Sequence, residues 1–146
     1  MVSKTAVIGV GSPFGEDYIA YRVIECLKRD PTLKIHLDYY DRPYWHLLEC
    51  MKPFDTVHLV DAIVSHQAPG TLHRYEDIHA FQVNQQSLSS HGWGLADTLL
   101  LGEVLDQLPS KLIIHGIEID PHGSQGEIAY LDLVSQIKRD ILPSNR

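Results

Sequence analysis

The side chains able to do chemistry fall just after the apolar runs of this chain. Glu16 and Asp17 close the stretch Gly9-Val10-Gly11-Ser12-Pro13-Phe14-Gly15-Glu16-Asp17, which follows the run Thr5-Ala6-Val7-Ile8. Asp41, with Asp38 near it, follows the weak alternation of residues 33–40. Asp61 stands near the carboxyl end of the run 55–63, and His91 precedes a helical pattern that starts near residue 92. Glu118, Asp120 and His122 follow the run 111–119. Two carboxylates and an imidazole can hold a divalent ion and leave positions open for water or a substrate group. A carboxylate can also take a proton from an attacking water.

Each residue also has a plainer reading. Asp17 can be an N-cap that accepts backbone N–H bonds in the first helical turn. His91, before Gly92-Trp93-Gly94, can be a cap or a solvated loop residue. Asp97 reads as a partly buried helix carboxylate that is either merely solvated, the favoured reading, or an acceptor behind a ligand. Asp61 is harder to dismiss, because it lies within Leu59-Val60-Asp61-Ala62-Ile63-Val64. Burying a lone carboxylate is costly, so it needs a cation, a donor or a metal.

Other chemistries fit less well. A dinucleotide site wants Gly-x-Gly-x-x-Gly, yet Phe14 stands where the third glycine belongs and Gly15 comes one residue late. Asp38 sits only loosely where the ribose-binding acid would be, and Glu16 and Asp17 would repel a pyrophosphate at the helix start. There is no Gly-Lys-Ser/Thr phosphate loop, no His-Glu-x-x-His zinc motif and no Gly-x-Ser-x-Gly nucleophile elbow.

The elements that must position these groups follow from periodicity. Residues 4–10 and 55–63 read as buried strands, 33–40 as a weaker one, 71–75 as a short polar edge strand and 111–119 as the last strand. Ile19, Ala20, Val23, Ile24 and Leu27 give residues 17–29 one apolar helical face, and Asp30-Pro31 stops it. Pro43 opens a short helix to about residue 51, and further helices are expected over 94–108 and 127–142. Ala68-Pro69-Gly70 is a turn, and residues 77–90 read as a loop with at most one helical turn. Strands alternating with helices predict a three-layer α/β/α sandwich. Its twisted sheet should be mostly parallel, with about five strands and one short antiparallel edge strand. Ligands of such sheets bind beyond the carboxyl ends of the strands, where the acids and His91 lie.

Composition sets the outer bounds. A chain of 146 residues is expected to be one domain, 1–146. Its 44% hydrophobic and 21% charged residues suit a globular protein. The net charge of -7 argues against nucleic acid and an anionic membrane as partners. Two cysteines, Cys26 and Cys50, make no disulfide framework and read as reduced core residues. The first apolar run is too short for a signal peptide, and no stretch approaches a membrane span, so the expected location is cytoplasmic.

Taken in order, the motifs resemble those of the hydrogenase maturation proteases. Residues 9–17 resemble their N-terminal glycine-rich signature ending in paired acids. Val60-Asp61-Ala62-Ile63 with Ala68-Pro69-Gly70-Thr71 resembles the second motif, and Ser90-His91-x-x-Gly94-Leu95 the third. Gly116-Ile117-Glu118-Ile119 resembles the segment after their last core strand.

The resemblance implies an endopeptidase that removes a C-terminal extension from the large-subunit precursor of a [NiFe] hydrogenase after nickel insertion. Motif by motif, the family's metal-contacting residues carry over to Asp17, Asp61 and His91, with Glu16 as the other acid of the first pair. In the family picture they meet nickel carried by the precursor, so no cofactor is permanently bound. Other divalent ions are expected to substitute weakly in the isolated protein. Asp41 stands where the family has an aspartate after the second strand and is the candidate base. The chain departs from the family there, with Arg42-Pro43-Tyr44-Trp45 in place of small residues, and in Ser12 where Asn is usual. Two alternatives stay open: a homologue that binds precursor or metal without cleaving, and a dinucleotide-binding module.

Overall fold

The structure, a computed structural model, describes residues 4–11, 18–41, 46–84, 94–120 and 129–142. The chain runs β1 (Thr5–Val10), α1 (Tyr18–Lys28), β2 (His36–Tyr40), α2 (Leu47–Met51) and β3 (Thr56–Ile63). It continues through β4 (Leu72–Tyr75), α3 (Ile78–Asn84), α4 (Leu95–Val104), β5 (Lys111–Glu118) and α5 (Tyr130–Ile141). The five strands form one sheet in the order β2-β1-β3-β5-β4. All neighbours are parallel except β4, which runs antiparallel to β5 at the edge. The expected sheet, with its short antiparallel edge strand, is present.

The core explains why the central strands read as unbroken apolar runs. Side chains alternate between the two faces of a strand, and both faces here are covered. On one face Val7, Val60 and Ile117 pack against Ile24 and Leu27 of α1 and Ile137 of α5. On the other, Ile8, Leu59 and Ile114 pack against residues of α2, α3 and α4, among them Met51, Phe81 and Leu99. Helices on both faces make the three layers of the α/β/α sandwich.

The helix expected over 94–108 ends at Val104, and two other elements differ from the periodicity reading. The second strand starts at His36 rather than 33, because Asp30 holds Thr32 through its backbone N–H (2.8 Å) and hydroxyl (2.6 Å) in a turn after α1. The short helix is described from Leu47, and residues 42–45 lie outside the described residues. Residues 78–84 form α3 instead of loop. Its buried apolar residues are only Ile78 and Phe81, three apart, while the Asp77 carboxylate accepts the His79 N–H at 2.9 Å and starts the helix. Cys26 and Cys50 are unbridged, as expected, but half-buried rather than in the core.

Gly9, the first glycine of the opening motif, lies in β1 and has a packing reason. A Cβ on Gly9 would stand 2.7 Å from Ile24 Cγ1 and 3.2 Å from the Ala20 carbonyl oxygen, so α1 crosses β1 at backbone distance. Gly9→Ala is expected to cost about 1–3 kcal/mol, since an overpacked site forces the backbone to shift. Urea denaturation checks this, and an unchanged midpoint would refute the close-approach argument.

Beneath α5 the sheet buries two histidines. His58 and His115 are 2% and 1% exposed, with His58 Nδ1 3.0 Å from His115 Nε2. Burial pushes each pKa down to about 4. Asp140 opposes the shift; Arg74 adds to it at both rings, as do Lys111 at His58 and His58 itself at His115. The unfolded chain binds these protons below about pH 6.5, whereas the folded chain binds them only near the lower value. The contribution is therefore fully present above about pH 6.5 and is lost as pH falls toward 4. Each histidine can add a slope of up to about 1.4 kcal/mol per pH unit. In metal-free buffer, His115→Gln is expected to flatten the stability slope between about pH 5 and 6.5 relative to the parent.

Candidate active site

Because β1, β2, β3 and β5 are parallel, Gly11, Asp41, Val64 and Ile119 leave the sheet at one rim. The acids singled out after the apolar runs therefore do gather at one end where they are described. Asp41 is exposed and stands beside the first turn: a Cβ on Gly11 would lie 2.9 Å from Asp41 Oδ1. The Gly11 N–H donates to the Tyr40 carbonyl at 2.9 Å, and the Tyr39 hydroxyl donates to Asp41 Oδ1 at 3.3 Å. Asp38 has a structural role instead. It accepts the Tyr39 N–H and the Tyr40 O–H, each at 2.9 Å. Burial works to raise its pKa, but these bonds outweigh it and leave the carboxyl below its usual value.

Asp61 is 5% exposed in the central strand. Gly9 pairs with Val60, so Asp61 stands level with Val10 at the end of β1, and it pairs with Gly116 on its other side. It alternates with Leu59 and Ile63, which pack toward α2, α3 and α4, so it faces that layer. Leu95, the first residue of α4, packs in the same cluster as Val10 and Ile63. The first residue of α4 thus lies on the face from which Asp61 projects. Asp97 is half-buried and accepts the Gly94 N–H at 2.9 Å, closing the first turn of α4, a capping role that neither of its readings named. Glu16, Asp17 and His91 lie outside the described residues.

Glu118 is fully buried at the end of β5. Its carboxylate accepts the Ser65 N–H at 2.6 Å and the Ser65 O–H at 2.5 Å. His73 Nε2 of the edge strand lies 3.1 Å from the same oxygen as the hydroxyl. Its backbone completes the clamp, with Gly70 N–H donating to the Glu118 carbonyl and Glu118 N–H to the Thr71 carbonyl, both at 2.8 Å. Gly70, at φ 91°, is the residue after Pro69 in the expected turn, where a left-handed conformation favours glycine. Glu118 thus fixes the loop that follows Asp61 to the last strand. The sequence places Glu118 at the rim but does not show that it is wholly buried.

Sequence reasoning gave no weight to His58, His115 and Asp140. A polar residue inside each of two apolar runs was the available signal: His58 between Val57 and Leu59, His115 between Ile114 and Gly116.

Among the described residues, no helix is long and apolar enough to cross a membrane. The sequence profile of the hydrogenase maturation proteases matches residues 44–142. No curated protein matches at a comparable level. An endopeptidase from Escherichia coli solved in solution is similar at TM-score 0.71 and 25% identity, over 95% of this chain and 90% of that one. The hydrogenase maturating endopeptidase HybD from Escherichia coli is similar at TM-score 0.66 and 25% identity, with the same 95% and 90% coverage. A [NiFe] hydrogenase maturation protease from Thermococcus kodakarensis shares the fold at TM-score 0.67 and 19% identity, over 95% and 92% of the two chains. With a fold of this kind and a profile match over residues 44–142, the chain belongs to the hydrogenase maturation protease family and is a peptidase.

Proposed function

We propose that this peptidase is nickel-dependent and removes the C-terminal extension of a [NiFe]-hydrogenase large-subunit precursor after metal insertion. The observation that carries the reading is Asp61, a buried carboxylate level with the end of β1 and facing the layer that α4 enters. A carboxylate in that position suits a cation brought by a partner, since an approaching charge offsets the cost of burying it. Asp17 and His91 would join Asp61 as oxygen and nitrogen donors to nickel carried by the precursor, with Glu16 beside Asp17. The nickel belongs to the substrate, and the chain itself holds no permanent cofactor. A precursor without nickel offers the three donors no partner, so metal loading becomes the condition for productive binding.

Asp41, exposed at the same rim beside Gly11, is placed to act as base. It would take a proton from water as the water oxygen bonds to the scissile carbonyl carbon; the C–N bond then breaks and the leaving nitrogen takes up a proton. The reading treats residues 1–146 as one such domain working in the cytoplasm.

The test is incubation of the chain with precursor, nickel-loaded and nickel-free. Shortening of the loaded form alone is the expected result. Binding without shortening would favour a homologue that recognises precursor but does not cleave it. Shortening of both forms alike would remove the nickel requirement.

A further inference from the structure

A second group of metal-type ligands lies on the opposite face of the sheet from Asp61. His58 pairs with Ile113 and Val60 with His115, so the two histidines are diagonal neighbours on β3 and β5. Asp140, in the last turn of α5, lays Oδ2 3.9 Å from His58 Nδ1 and 3.5 Å from His115 Nε2. With the 3.0 Å between the two nitrogens, this closes a triangle of three donor atoms. A tetrahedral ion bonded to nitrogen and oxygen at about 2.0–2.1 Å separates its ligands by about 3.3–3.5 Å. The three sides, 3.0, 3.5 and 3.9 Å, straddle that spacing.

We propose that His58, His115 and Asp140 form a binding site for a zinc-class divalent cation, with its fourth position open to the groove beside α5. The site stands apart from the rim and does not depend on how the precursor is read. Three observations support it. The groove, about 480 Å³, is lined by His115, Asp140, Arg74 and Gln136 and gives an ion and a water a way in. His115 Nδ1 is buried with no hydrogen-bond partner among the described residues, so the ring's polar contacts all run through Nε2, the atom that faces the triangle. The ligands also stand in their binding forms at neutral pH. Burial keeps both imidazoles neutral. For Asp140, burial works to raise the pKa, but the hydrogen bond and charge of Arg74 outweigh it and keep the carboxylate ionised.

Arg74 is the outer partner of this site. Its Nε donates to Asp140 Oδ2 at 2.8 Å and holds the carboxylate toward the histidines. Its charge also offsets that of the single carboxylate. Hard ions such as Mg²⁺ and Ca²⁺, which need several oxygen donors, are therefore excluded, while ions that favour imidazole are admitted. A bound ion would tie the last turn of α5 to the two central strands.

Cobalt titration of the chain carrying Asp61→Asn and His91→Ala tests this, because those changes remove rim donors. The expected result is one equivalent of Co²⁺ with the strong visible absorption of four-coordinate cobalt, displaced by Zn²⁺ and untouched by excess Mg²⁺. Adding Asp140→Asn should weaken cobalt binding by more than about 100-fold, because loss of even an outer metal partner costs about 10–100-fold. Zn²⁺ should raise the thermal midpoint of the double variant and leave that of the triple variant unchanged. Nuclear magnetic resonance of the unmodified chain gives a readout that needs no variant: Zn²⁺ should shift the imidazole nitrogen resonances of His58 and His115. The proposal is overturned if the double variant binds no cobalt, if Asp140→Asn binds as tightly as its parent, or if those resonances stay put. The histidines are then a hydrogen-bonded core pair only.

Discussion

Asp61→Asn is expected to abolish precursor processing while leaving the fold in place. Asparagine keeps the volume of the side chain and one carbonyl acceptor but removes the charge. The site is 5% exposed between Val60 and Ala62 of the central strand, so a change of size there would disturb the core, and an isostere avoids that. The stability change should stay near about 1 kcal/mol, the scale of one altered hydrogen bond. The processing rate should fall by more than about 100-fold, because a neutral amide is a poor donor to a cation and even an outer partner of a metal is worth about 10–100-fold. Measuring the thermal midpoint and the shortening of nickel-loaded precursor on the same preparation separates the two effects. An unimpaired rate would remove Asp61 from the reaction. A rate loss matched by a large loss of folded protein would make its role structural.

Glu118→Ala is expected to give the largest loss of stability among single substitutions at the rim. The carboxylate is fully buried and accepts three short contacts, from Ser65 N–H, Ser65 O–H and His73. Hydrogen bonds to a charged group are each worth about 1.5–3 kcal/mol, and they do not add in full. Truncation also leaves a cavity and removes the acceptor of the Ser65 N–H. A net cost of about 2–4 kcal/mol is expected, which lowers the melting temperature of a chain this size by about 5–15 °C. Glu118→Gln, which keeps one acceptor oxygen and the volume, should lose about half as much. Calorimetry of the two variants decides it: a drop of less than about 2 °C for Glu118→Ala would show that the clamp does not hold the loop. This carboxylate and the paired backbone bonds of residues 70, 71 and 118 help to tie down the loop after Asp61, so processing by Glu118→Ala should weaken as well.

The two substitutions probe different links in one chain of causes. Asp61 is argued to act on the cation that the precursor carries. Glu118 acts on the backbone that follows Asp61, through Ser65, and reaches the chemistry only by keeping that segment in place. Loss of rate without loss of stability in one, and loss of stability ahead of rate in the other, would separate positioning from contact.

Much of the architecture was legible because burial leaves a period in the sequence. The run 55–63 is apolar throughout because β3 is covered on both faces, and Ile19, Val23 and Leu27 recur at helical spacing because one side of α1 meets the sheet. Where the period is weak, the reading fell short. α3 carries only Ile78 and Phe81 toward the core, too few to stand out from a polar loop. Asp61 was legible as a residue in need of a partner, since an acid in an apolar strand contradicts its surroundings whatever the fold.

By itself the sequence determined the layered α/β/α class, the order of the elements apart from α3, the family and the acids that lie after the strands. These depend on local period and on motifs a few residues long. Only the tertiary structure decided which distant residues meet. His58 and His115, 57 positions apart, face each other because β3 and β5 pair in one particular parallel register, and Asp140 closes the group because the last turn of α5 lies over that pair. A slip of one residue would have turned either histidine to the opposite face. The same holds for Glu118, whose burial follows from the return of the edge strand beside β5 and not from its neighbours in the chain.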